Sequence, residues 1–164
     1  MPRITPNLWF DTNALGAAEF YVSVFPNSEV TDVTYYPDDA PRPGSVLTVN
    51  FVLDGQQYTA LNGGPQFTFD EAISLLINCA DQDEVDYYWN ALTADGGEES
   101  QCGWLKDKFG VSWQIVPEDW VKLVASDDKA AVQRAVNAMY GMKKLDLAAL
   151  QAAFDGENAP EGKA

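Results

Sequence analysis

Two periods of apolar residues take turns along this chain. Ile4 to Phe10 alternates like a strand, and then Ala14, Ala17, Ala18, Tyr21, Val24 and Phe25 recur at the spacing of one helix face. Asn13 stands where a helix cap belongs, and Pro26-Asn27 stops the run. Glu29 to Tyr36 is rich in β-branched residues and predicts a strand. Pro37 to Gly44 holds three prolines and predicts a loop. Val46 to Leu53 and Gln56 to Leu61 predict strands joined by Asp54-Gly55, a hairpin turn signal. The first stretch therefore reads β-α-β-β-β.

The pattern then repeats. Gly63-Gly64-Pro65 reads as a chain break. Ala72 to Asn78 predicts a strand, Asp81 to Glu84 a capping box, and Val85, Tyr88, Trp89 and Leu92 a helical stripe ended by Gly96-Gly97. Short strands follow near Glu98–Ser100 and Gln101–Leu105. After the turn Asp107–Gly110, Val111 to Val116 is the last strand. Leu8-Trp9-Phe10 with its helix and Leu76-Ile77-Asn78 with its own lie 68 positions apart, two copies of one β-α-β-β-β unit. After Pro117 the pattern is helical, with stripes at Val132, Ala135, Val136 and Met139 and at Leu147, Leu150 and Phe154. Asp146 is expected to cap the last of these, and Gly156 to Ala164 is expected to be a frayed tail.

Strand parity sorts the faces. Thr48 and Asn50 share one, while Leu47, Val49, Phe51 and Leu53 share the other, expected against a helix. Cys102 and Trp104 share a face.

Composition changes the picture mainly by exclusion. With 164 residues, 46% of them hydrophobic, the chain is expected to be one globular domain. No run approaches a membrane span and no signal-peptide pattern opens the chain, so a cytoplasmic location is expected. The net charge is −15, and Arg3 and Arg42 are the sole bases before Lys106, which disfavours nucleic acid and polyanionic substrates. There is no histidine, which excludes Ser–His–Asp and Cys–His catalysis. Cys79 and Cys102 do not make a disulfide framework, and the nearest bases to Cys102 are Lys106 and Lys108. The carboxylates gather at helix starts and turns, where they read as solvated caps. Asp81-Gln82-Asp83 lacks the glycine and later ligands of a calcium loop.

Four segments carry a family resemblance. They are Ile4 to Asp11, Phe20 to Ser28, Ala60 to Pro65 and, longest, Gln101 to Pro117. With the repeated unit, they resemble the PhnB-like branch of the vicinal oxygen chelate superfamily, which includes glyoxalase I, extradiol dioxygenases and bleomycin-resistance proteins. The branch often bears the label 3-demethylubiquinone 3-methyltransferase. The resemblance runs over about residues 3–156, C-terminal helices included. It implies an α+β fold: tandem βαβββ units, 1–66 and 67–117, as curved mixed sheets around a cavity, then a helical extension, 118–156, and a tail, 157–164.

Metal-binding members place a His, Glu or Gln ligand on the first and last strand of each unit. Alignment of the two units puts those positions at Pro6, Thr59, Ser74 and Gln114, of which Gln114 alone resembles a ligand. No catalytic metal and no cofactor are therefore expected. The resemblance implies a cavity lined by Phe10, Asn50, Thr59, Ser74, Asn78, Cys102, Trp104 and Gln114, beside Leu61 and Leu76, with Trp113 and Ile115 turned to the helices. It implies a small neutral or cationic, partly aromatic ligand and a homodimer whose contact surface comes from the C-terminal stripes. A metal-dependent lyase or isomerase, or the methyltransferase of the label, are the alternatives. For methyl transfer, the sequence lacks the long alternation of strands and helices with a Gly-rich turn that such a cofactor fold wants.

Overall fold

The computed structural model describes residues 3–157. Of the expected tail, residues 158–164 lie outside the described residues. The chain divides into two units, one ending at Phe69 and the other beginning at Asp70.

Unit 1 runs β1 Asn7–Phe10, α1 Ala14–Val24, β2 Glu29–Tyr35, β3 Val46–Leu53 and β4 Gln56–Asn62. The sheet order is β1-β4-β3-β2, with β1 parallel to β4 and the other pairs antiparallel. Alanines 14, 17 and 18 are fully buried, so α1 lies close on β3, against buried Val49, Phe51 and Leu53. Tyr21 stacks on Phe51 at 6.3 Å, and Phe51 on Tyr58 at 5.5 Å. Burial of each large side chain contributes about 1.5–3 kcal/mol. Asn13 precedes the helix without a side-chain bond. The cap comes instead from Asn62 at the end of β4: its Oδ1 accepts from Ala14 N at 2.8 Å and its Nδ2 donates to Val46 O. Arg42 folds the proline loop back, donating to Asp11 O, Asn62 O and the Tyr36 hydroxyl.

Unit 2 repeats the order with β5 Leu75–Cys79, α2 Gln82–Thr93, β6 Glu98–Glu99, β7 Trp104–Lys106 and β8 Ser112–Pro117, arranged β5-β8-β7-β6. Again the first strand runs parallel to the last. Asp81 caps α2 as expected, accepting from Glu84 N at 3.0 Å, while Glu84 Oε2 accepts from Ala80 N rather than from the cap residue. Val85, Tyr88, Trp89 and Leu92 are buried, and α2 packs on β8 through Trp113 and Ile115, as their parity predicts. Asp107 is 3% exposed and holds the β7–β8 turn together: it accepts from Phe109 N, Val111 N and the Trp113 indole.

The helical extension is α3 Glu118–Val124, α4 Lys129–Met139 and α5 Leu147–Asp155. Its stripes were expected to face a second chain. Instead they pack on one another: Trp120, Ala135, Leu145 and Leu150 are buried together, with Val136, Met139 and Phe154 around them. Three short helices on short connections can bury their stripes mutually. The Met139–Leu147 segment then straps the extension to the sheet. Met142 O and Lys143 O accept from Cys102 N and Gly103 N, and Gln82 bonds Leu145 O and Leu147 N. Lys143 and Lys144 pair with Glu99 and Asp86. Lys106 and Lys108 likewise pair with Glu71 and Asp95, so the late bases answer earlier acids of the same unit. Each such surface pair contributes little by itself. Among the described residues, no helix is long and apolar enough to cross a membrane.

Candidate functional site

Each unit covers one sheet face with its own helix, and the other face carries polar side chains among apolar ones. In unit 1 that second face carries Asn50 opposite Thr59 on adjacent strands, and Thr59 Oγ1 donates to Asn50 Oδ1 at 2.8 Å. Thr48 lies on the same face, bonded to Thr34 at 2.6 Å. A bulge in β2 frees Thr31 from the ladder, and its hydroxyl donates to Asn50 O. In unit 2 the equivalent face carries Gln114, whose amide donates to Ser74 Oγ at 2.8 Å. Leu76 and Trp104 lie opposite Gln114 on either side. Leu76 is 51% exposed, and Asn78 is exposed on the same parity.

Two expected wall residues belong elsewhere. Phe10 is 3% exposed and pairs in parallel with Asn62, whose side chain caps α1, so it lies on the helix-covered face. Its ring meets Phe69 edge-on at 5.1 Å. The cause is a corner of unequal length. The helices start at Ala14 and Gln82, 68 residues apart, but Asn7 and Leu76, opposite Thr59 and Gln114, are 69 apart. Unit 1 has one more residue between strand and helix, so an alignment on the helices misplaces its first strand by one. The counterpart of Ser74 is thus Thr5, not Pro6. Thr5, Asn7 and Trp9 share the Asn50–Thr59 face; register, which the sequence does not display, was the missing signal.

Cys102 does not share a face with Trp104. It sits in a left-handed turn before β7, with φ +58°, and its thiol donates to Met139 O. The strap pulls this turn out of the strand predicted from Gln101. Cys79 is fully buried, and burial, helped by the Glu84 charge, pushes its thiol up to about 12. Iodoacetamide at pH 8, followed by mass mapping, is expected to leave Cys79 unmodified until the chain is denatured.

The glycine pair after β4 does more than break the chain. The Trp9 indole lies across Gly63, where a Cβ would fall 2.3 Å from the ring, and donates to Gly64 O at 2.9 Å. Phe67 closes on it edge-on at 5.1 Å. Gly63→Ala must therefore unseat Trp9, at a cost of about 1–3 kcal/mol. The measurement is the urea midpoint together with red-shifted tryptophan emission; an unchanged midpoint would refute the seat.

The chemistry of this donor set is neutral. Thr5, Thr59, Ser74 and Gln114 stand at the four superfamily ligand positions, and three of them are engaged in amide–hydroxyl bonds. Hydroxyls and an amide so engaged lack the charge and donor strength of a divalent site. The residues present do not fit a catalytic metal. Among the described residues, no three His, Cys, Asp or Glu side chains gather to hold one.

A family model described as 3-demethylubiquinone-9 3-methyltransferase matches residues 2–116. The chain is similar to a PhnB protein from Bacillus cereus that bears the same description, at 32% identity and a TM-score of 0.65, covering 71% of this chain and 99% of that one. A protein from Pseudomonas aeruginosa is similar in fold, at 20% identity and a TM-score of 0.60, over 72% of this chain and 98% of that one. No curated protein matches the chain. The family match stops at residue 116, so the extension, expected to share the resemblance, lies beyond it.

Proposed function

Because the chain belongs to the 3-demethylubiquinone-9 3-methyltransferase family, the PhnB-like branch of the vicinal oxygen chelate superfamily, we propose that it is a small-molecule binding protein that works without a catalytic metal. The observation that carries this is the pair of amide–hydroxyl bonds, Thr59 to Asn50 and Gln114 to Ser74, at strand positions where a chelating relative needs anionic or imidazole donors. Such faces bind by hydrogen bonds and apolar contact rather than by Lewis-acid chemistry. Asn50, Thr59, Ser74, Asn78, Trp104 and Gln114 remain the wall residues of this reading. This reading takes the protein to be a cytoplasmic homodimer; Ile73, 77% exposed, offers apolar surface for that contact.

Methyl transfer, the activity in the family description, has no matching cofactor fold among the described residues of either unit. Each sheet has one parallel pair within a mixed order, and no Gly-rich turn opens a helix.

The purified protein is expected to hold no stoichiometric divalent ion by elemental analysis, and S-adenosylmethionine at millimolar concentration is expected to leave its melting temperature unchanged. A tightly held ion would overturn the metal-free reading; saturable S-adenosylmethionine binding would restore the transferase. In a thermal-shift screen of small aromatic and amide compounds, Asn50→Ala is expected to abolish the shift given by a binder of the unit 1 face, and Gln114→Ala that given by a binder of the unit 2 face. A binder indifferent to both would refute the wall assignment.

A further inference from the structure

We propose that a depression in unit 1 beside Asn50 binds a neutral six-membered ring carrying a cyclic amide, of the pyridone or pyrimidinone kind. The inference rests on the small-molecule reading above and narrows it to one place and one chemistry.

The depression has a volume of about 160 Å³ and is lined by Thr5, Thr31, Asn50, Gln57 and Thr59, with Phe51 and Tyr58, whose rings turn to the opposite, helix-covered face, between them on the strands. A cavity of about 150 Å³ accommodates a benzene ring, so the depression has room for one six-membered ring.

No charged side chain lines it. An anion would meet no cation here, within a chain of net charge −15, and a cation would meet no carboxylate. The ligand is therefore neutral.

The hydrogen-bond valences set its polarity. Asn50 Oδ1 is occupied by the Thr59 hydroxyl and Asn50 O by the Thr31 hydroxyl, which leaves both Asn50 Nδ2 hydrogens to donate. Thr31 and Thr59, having donated, present oxygen lone pairs, and the Gln57 amide can both donate and accept. A ring carbonyl would accept from Asn50 Nδ2 while the neighbouring ring N–H donates to a threonine oxygen or to Gln57 Oε1. A lactam presents that adjacent acceptor and donor; a plain aromatic presents neither and would leave these groups unpaired.

The test is titration of the full chain with 2-pyridone and uracil, against toluene, benzoate and benzamidine, followed by calorimetry and by the ¹⁵N–¹H signals of the Asn50 and Gln57 side-chain amides. The two lactams are expected to bind saturably and to shift those amides. Asn50→Asp, which removes the donors, and Thr59→Val, which keeps a β-branched strand former, are each expected to weaken binding at least tenfold, with Lys122→Ala on the exposed side of α3 unchanged. Lactam affinities unaltered by both unit 1 variants would overturn the proposal. So would toluene or benzamidine binding more tightly than either lactam, although the broader small-molecule reading would then stand. Absence of lactam binding to the wild-type chain would overturn it as well.

Discussion

Asp107→Ala is expected to destabilise unit 2 by about 3–5 kcal/mol. Three donors, Phe109 N at 2.8 Å, Val111 N at 3.1 Å and Trp113 Nε1 at 2.8 Å, converge on a carboxylate that is 3% exposed. Hydrogen bonds to a charged acceptor contribute about 1.5–3 kcal/mol each, and a buried donor left without a partner costs about 1–3 kcal/mol. Trp113 is itself 3% exposed, so water cannot readily replace the lost oxygen. Asp107→Asn keeps one acceptor oxygen but must turn an N–H₂ towards either the indole or the two backbone donors. It should fall between wild type and alanine. The measurement is urea unfolding followed by circular dichroism, with a lower midpoint at an unchanged m-value. A cost below about 1 kcal/mol for alanine would show that the turn does not depend on this carboxylate.

Gly103→Ala ranks second, at about 3 kcal/mol. Gly103 has φ +84°, and a Cβ there would lie 2.9 Å from the backbone oxygen of Ile115 and 3.2 Å from Leu145 Cγ. The left-handed backbone costs a residue with a Cβ about 1–2 kcal/mol. Overpacking against a backbone atom that cannot swing away adds about 1–3 kcal/mol. The same glycine donates to Lys143 O at 2.7 Å and accepts from Ile115 N at 2.8 Å, so relief of the clash loosens the strap as well. Gly55→Ala is the control. Its φ is +81° with nothing within 4 Å of the added carbon, so it should cost the conformational part alone. Equal losses for the two variants in the same unfolding assay would refute the packing argument. Faster amide exchange at Lys143–Leu147 in Gly103→Ala would support it.

Where the sequence was legible, a local pattern met no tertiary competitor. The Val46–Leu53 strand, the Asp54-Gly55 turn with φ of +43° and +81°, and the Asp81 and Asp146 caps all sit where composition and period place them. The repeat was legible because both copies bury the same kind of helix stripe. The candidate site was legible as a parity of faces and illegible as a register. A single extra residue in the first corner moved Phe10 to the covered face and brought Thr5 into the place assigned to Pro6. Gln101 to Gly103 looked like the start of a strand, but carbonyls some forty residues later hold it as a turn. No local window contains that information. The capping role of Asn62, 48 residues from the helix it starts, was hidden in the same way.

The strap has a consequence for how the chain is made. The hydrogen bonds that fix unit 1, of Asn62 with Ala14 and Val46, of Arg42 with Asn62 and of Trp9 with Gly64, all join residues before Asp70, so this stretch has them in hand early in synthesis. Unit 2 must wait. Its β7 turn at Cys102–Gly103 is tied to Met142 and Lys143, and the entry to α2 at Gln82 is tied to Leu145 and Leu147. Until residues 142–147 emerge, the turn before β7 and the entry to α2 in a nascent chain are still untied.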